Sequence, residues 1–169
     1  MPQNGGMDSL AEIDLGPALV TLRAARRGDV PALVSLIAAD QLGATRDGVR
    51  DAADQAAYTA AFEAIDADPA HTLVVAEQAG EIVGTMQLSF LPGLARRGAL
   101  RAQIEAVRVA ESNQGSGLGS AMIGWAIDEA RRRGCALVQL TTDKSRRDAH
   151  RFYQRLGFVA SHEGMKLAL

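Results

Sequence analysis

Six residues, Gln114-Gly115-Ser116-Gly117-Leu118-Gly119, stand between the strand-like run Val107-Arg108-Val109 and an apolar run that begins at Ala121. Glycine has no Cβ, so backbone N–H groups in such a turn can close on an oxyanion, and a helix starting at its end adds the positive end of its dipole. The chemistry this serves is phosphate binding. One candidate is a dinucleotide site, which wants G-x-G-x-x-G directly after a strand and an acid about 20 residues on. Gly115 and Gly117 supply two of the glycines, Ser120 takes the third place, and Asp143 would be the acid. Five residues separate Val109 from Gly115, and the strand begins near residue 99, which leaves too few βα units for a doubly wound sheet. This reading is set aside.

Other reactive side chains form no constellation of their own. Cys135 is the single cysteine, so no intrachain disulfide is possible, and it reads as a small hydrophobe at the start of a strand. His71, His150 and His162 have no metal-ligand spacing, and no metal is expected.

The elements that must position the glycine turn follow from patterning. A strand is predicted over 18–26 and a helix over 29–42, with Asp29 as N-cap and Pro31 in its first turn. A charged loop, 43–51, leads to a second helix, 52–66. Two β-rich runs within 71–91 flank Ala79-Gly80, which marks a hairpin. A strand over 99–110 precedes the glycines. The helix after them runs to Arg133, with Arg131–Arg133 against the negative end of its dipole and Gly134 as its stop. A strand over 135–142, a helix over 148–156 and a last strand or strand pair over 158–169 complete an α/β pattern with a mixed sheet. Residues 1–16 read as a flexible polar tail, and 17–169 as a single domain.

Bulk composition narrows the function classes. The chain has 169 residues, 47% hydrophobic and 22% charged, with a formal net charge of −2. That balance suits one globular domain and argues against a nucleic-acid-binding surface spread over it. The clusters Arg131–Arg133 and Lys144–Arg147 read as solvated helix ends and loops. No secretory leader and no apolar run long enough to span a membrane is seen, so a cytoplasmic protein is expected.

Two stretches carry a resemblance. Gln114-x-x-Gly117-x-Gly119 after a strand and before an apolar helix resembles the Q/R-x-x-G-x-G/A coenzyme signature of the GNAT superfamily of N-acetyltransferases. "DAHRFYQRLGF", 148–158, resembles that family's A-x-x-F-Y-x-x-x-G-F helix. The order of elements fits from residue 17 onward. The resemblance implies a mostly antiparallel sheet flanked by helices, in which the parallel strands 99–110 and 135–142 splay apart around acetyl-coenzyme A. Val107, Arg108 and Val109 would offer backbone groups to the pantetheine arm, like an added strand. Gln114, Gly115, Ser116, Gly117, Leu118, Gly119 and Ser120 would surround the pyrophosphate.

Acetyl transfer to an amine needs the amine neutral, and for a lysine-like amine at pH 7 this costs roughly 4–5 kcal/mol. Glu105, in "QIEAVRV", shares a strand face with Gln103 near where the thioester should lie, and is the candidate base. Tyr153 occupies the family's general-acid position and would protonate the leaving thiolate. Arg146 stands where many members carry Asn and would reach a coenzyme phosphate. The acceptor is expected to be a primary amine, of a small molecule or of a peptide, bound among the first two helices, the 43–51 loop and the 88–98 turn. Arg96, Arg97 and Arg101 read as solvated charges or as readers of an acidic group on the acceptor. A homodimer is common in the family. The alternative function is a catalytically silent acetyl-coenzyme A sensor.

Overall fold

The structure, a computed structural model, describes residues 9–16, 19–40 and 47–169. Six strands lie in one sheet in chain order: β1 (Ser9–Asp14), β2 (Leu19–Ala24), β3 (His71–Gln78), β4 (Glu81–Leu91), β5 (Arg101–Val109) and β6 (Leu137–Leu140). All neighbours pair antiparallel except β5 and β6, which are parallel. The helices are α1 (Val30–Ala38), α2 (Ala52–Asp66), the single turn α3 (Ala95–Gly98), α4 (Leu118–Arg132) and α5 (Arg147–Arg155). The mixed α/β architecture expected from patterning is present.

Each sheet face has its own core, because strand side chains alternate between faces. On one face α4 buries Leu118, Met122, Ile123, Ala126 and Ala130, a helical-period stripe, against Val74, Met86, Leu88 and Ile104. On the other, Leu33 of α1 and Phe62 of α2 pack with Val75 and Ala25. Where β4 passes beneath α4, close approach demands glycine. A Cβ on Gly84 would stand 3.0 Å from the Met122 sulfur, 3.2 Å from the Arg108 carbonyl oxygen and 3.3 Å from the Ala76 Cβ. Gly84→Ala is therefore expected to destabilise the fold by about 1–3 kcal/mol, the usual cost of overpacking, read as a lower midpoint in thermal denaturation.

A charged lock fixes the corner between β2 and α1. The buried Arg23 guanidinium meets Asp29 at 2.7 Å and Glu77 at 2.7 Å. Asp29 also accepts the Arg26 amide at 2.7 Å, which holds the start of α1.

Three expectations need correction. Residues 9–14, read as tail, form β1: Ala11 and Ile13 pack on the α4-side core, and pairing to Leu22 and Val20 outweighs the polar residues between them. Residues 158–169 contain no strand, and Val159, Met165, Leu167 and Leu169 are exposed. The alternation that suggested a strand there is not matched by pairing, so β6 forms one edge of the sheet. Finally, β6 spans four residues rather than eight, for a reason described next. Residues 41–46, which bear on the 29–42 helix and the 43–51 loop, lie outside the described residues.

Candidate active site

The two parallel strands part midway. β5 pairs with β6 from Arg101↔Leu137 to Ile104↔Leu140 and no further. From Glu105 to Val109, β5 keeps β4 on one side and, among the described residues, pairs with no strand on the other. The cause is local. β5 bulges against β4: Glu105 pairs with Gln87 and Arg108 with Thr85, so two residues of β5, Ala106 and Val107, oppose Met86 alone. Ala106 sits at φ 51°, a left-handed conformation that bends the strand. The backbone groups on the β6 side of Glu105–Val109 face a gap, where an amide-bearing ligand can take the place of a strand.

The glycine turn lies at the mouth of this gap. A short 3-10 turn, Glu111–Asn113, follows β5, and Asn113 is held by its side-chain hydrogen bond to Gln78 at 2.7 Å. Gly115 and Gly117 sit at φ 78° and 90°, conformations that disfavour any side chain. Gly117 is the N-cap of α4 and makes no side-chain cap. Ser116 Oγ accepts the Leu118 amide at 3.3 Å. The Gly119 and Ser120 amides, in the first turn of α4, have no carbonyl one turn back to bond. They are donors awaiting an acceptor at the positive end of the helix dipole. Phe152 of α5 packs beside Gly119: a Cβ there would stand 3.6 Å from the Phe152 ring and 3.7 Å from Val109. Such a donor set suits an oxyanion, and the gap lies beside it. The Gln114 side chain, by contrast, turns back to the Val109 carbonyl at 3.5 Å.

Glu105 lies on the opposite face of the sheet from α4, as its pairing with Gln87 shows, in the company of Gln103. A polar row crosses this face. His71 Nδ1 lies 2.7 Å from Ser89 Oγ, Gln87 donates to Ser89 Oγ at 3.3 Å, and Gln139 donates to Gln103 at 2.6 Å. Sequence reading placed Gln103 and Glu105 on one face and missed the rest of this row. Its signal was the alternation of polar residues, Gln87 with Ser89 and Gln103 with Glu105, inside otherwise apolar strands. Burial raises the Cys135 thiol pKa, and Cys135 packs on the core just before β6, which suits the structural part expected of it.

Tyr153 is half-buried between two aromatic rings, its centroid 5.0 Å from that of Phe152 and 5.8 Å from that of Phe158. Burial raises the phenol pKa, while the nearby positive charges of Arg146 and Arg108 pull it partway back. The Arg146 guanidinium meets Asp40, just past the C-terminal end of α1, at 3.1 Å, and Arg108 meets the same carboxylate at 3.4 Å. Thus Arg146 engages an acid just past the first helix, a contact that its sequence-based reading as a phosphate ligand did not include. The site brings together β5, the glycine turn, α5 and the end of α1. Arg101 lies at the far, zipped end of β5, and exposed Arg96 and Arg97 lie in α3 before it.

A bulged strand that leaves its parallel neighbour beside a glycine-capped helix is the arrangement that the GNAT resemblance implies. Residues 37–158 match the model of the acetyltransferase (GNAT) family, and the chain belongs to that family. It is 36% identical over 109 residues to the aminoalkylphosphonate N-acetyltransferase of Salmonella typhimurium, covering 64% of this chain and 70% of that protein. Among solved structures, a transcriptional regulator from Bacillus halodurans superposes with a TM-score of 0.84 and 45% identity, covering 89% of this chain and 99% of the other. A protein of Agrobacterium tumefaciens assigned as an acetyltransferase superposes with a TM-score of 0.75 at 32% identity, covering 88% and 99%. The chain is therefore an acetyl-coenzyme A-dependent acyltransferase by family. No helix among the described residues is long and apolar enough to cross a membrane.

Proposed function

We propose that the protein transfers the acetyl group of acetyl-coenzyme A to the primary amine of a small acceptor. The observation that carries this reading is the parting of β5 from β6 after four paired residues, directly beside the glycine turn. Main-chain groups of Val107, Arg108 and Val109 hold the pantetheine arm, and amides between Gly115 and Ser120 hold the pyrophosphate. The coenzyme presents its thioester to the far side of the sheet. Glu105 there takes the proton of the incoming ammonium, directly or through a water, so that the neutral amine attacks. Tyr153 gives its proton to the departing thiolate. Because the Salmonella relative is named for aminoalkylphosphonates, 2-aminoethylphosphonate heads the acceptor panel.

Calorimetric titration with acetyl-coenzyme A tests the reading first. Saturable binding within the roughly 1 μM–1 mM range usual for enzyme substrates is expected, and its absence refutes the reading. Thiol release with the amine panel then separates the enzyme from a silent sensor. The sensor alternative is kept because the Bacillus halodurans neighbour is described as a transcriptional regulator. A sensor binds the coenzyme and frees no thiol with any amine.

Glu105→Gln sharpens the assignment. It is expected to lower kcat/KM at pH 7 by about 10²-fold, the lower end of general-base contributions. The deficit should shrink as pH climbs toward the acceptor's own pKa, because the solution then supplies neutral amine. A deficit independent of pH would exclude Glu105 as the base.

A further inference from the structure

The charged groups around Asp40 do not balance. Two guanidinium groups, Arg108 and Arg146, share one carboxylate among the described residues, at 3.4 and 3.1 Å. The Arg23 lock is the reverse case: one guanidinium, two carboxylates, and contacts of 2.7 Å. Arg108 is 15% exposed, its Nη1 donates to the Val107 carbonyl at 2.8 Å, and its buried Nε–H has no partner. A buried guanidinium donor left unpaired costs free energy that a ligand acceptor can recover. Asp40 is also poorly placed: it follows the C-terminal end of α1, where the helix dipole disfavours an anion.

The bulge gives this cluster its place. In a regular strand, residues three apart face opposite sides, but the extra residue in β5 turns Glu105 and Arg108 to the same face, opposite Gln87 and Thr85. Arg146 comes in from just before α5, and its charge acts on the Tyr153 phenol. The two guanidinium groups therefore lie along the strand from the candidate base, on the face that carries it.

We propose that Arg108 and Arg146 form an oxyanion subsite that reads an acid group on the acceptor, with Asp40 as the anion it displaces. This rests on the acyltransferase reading above and adds the acceptor's chemical class: a small amine that also carries a phosphonate, phosphate or carboxylate. Planar guanidinium forks suit such groups, because two parallel N–H donors match two oxygens.

The test uses three probes of similar size: 2-aminoethylphosphonate, 3-aminopropanoate and n-propylamine. Binding of each is measured by calorimetry without coenzyme and with coenzyme A present, so failure of coenzyme binding, which refutes the acyltransferase reading, is scored separately. The wild type is expected to bind at least one acid-bearing probe about tenfold or more tighter than n-propylamine, and the tighter of the two acids identifies the group. Arg108→Gln and the more exposed Arg146→Gln should each erase most of that preference, so that the acid-bearing probes bind little tighter than n-propylamine. Asp40→Asn should tighten the acid-bearing probes severalfold and leave n-propylamine unaffected, an effect of opposite sign to that of losing a scaffold contact. The proposal is overturned if the wild type shows no acid preference, if Asp40→Asn weakens the acid-bearing probes, or if Arg146→Gln weakens acetyl-coenzyme A instead.

Discussion

Tyr153→Phe is expected to lower kcat by about 10²–10⁴-fold, the span of general-acid contributions, while leaving the Kd for acetyl-coenzyme A near its wild-type value. The substitution removes one oxygen and keeps the ring, so the edge-on packing against Phe152 and Phe158 survives. The phenol is suited to giving a proton because burial holds it in the neutral form, with its pKa above the ordinary value for tyrosine. A group so shifted stays protonated through neutral and mildly alkaline pH. The alkaline fall in kcat that reports its ionisation should accordingly lie higher than an ordinary tyrosine would place it, and vanish in the variant. Steady-state kinetics following thiol release, with calorimetry for the coenzyme, check both points. A kcat unchanged by the substitution would remove Tyr153 from the mechanism.

Arg23→Ala is expected to cost about 3 kcal/mol of stability, the scale for deleting one partner of a buried ion pair. Asp29 would be left at 13% side-chain exposure without its cation. Since domains of this size hold about 5–15 kcal/mol in all, the loss should be plain in urea denaturation as a lower midpoint at unchanged slope. The lock also carries a pH signature. Burial alone would raise the Asp29 pKa, but the hydrogen bond and charge of Arg23 and the Arg26 amide outweigh it and leave the carboxyl below its ordinary value. A carboxyl depressed by folding contributes fully above its unfolded pKa, near 3.8, and the contribution fades as pH falls through the lower folded value. The variant should therefore lose less stability than the wild type between pH 5 and pH 2. Because the lock sets where α1 begins, and α1 ends beside Asp40, the same substitution should disturb the acceptor side of the site.

What could be read from the chain beforehand was whatever rests on local rules. Ala79-Gly80 turned the β3–β4 hairpin as anticipated, with both residues at positive φ. Gly134, at φ 75°, ended α4 within two residues of Arg132. The parting of β5 and β6 followed from the family resemblance rather than from periodicity, because it depends on Ala106, a non-glycine residue in a left-handed conformation that alanine does not advertise. Once that bulge is in place, it decides which face Arg108 takes, so the shared carboxylate of Asp40 was out of reach of strand alternation. β1 was missed because its polar residues hide a two-residue apolar alternation that acquires meaning only against β2. The run 158–169 was overcalled for the converse reason: alternation without a paired neighbour does not make a strand.

The unzipped half of β5 has a consequence for how the protein withstands a protease. On the proposed function, acetyl-coenzyme A bound along this half of the strand stabilises the folded chain. Occupancy at a hundred times Kd would add about 2.7 kcal/mol to the folded state. If the proposed function holds, added acetyl-coenzyme A should slow digestion of the purified protein by a protease.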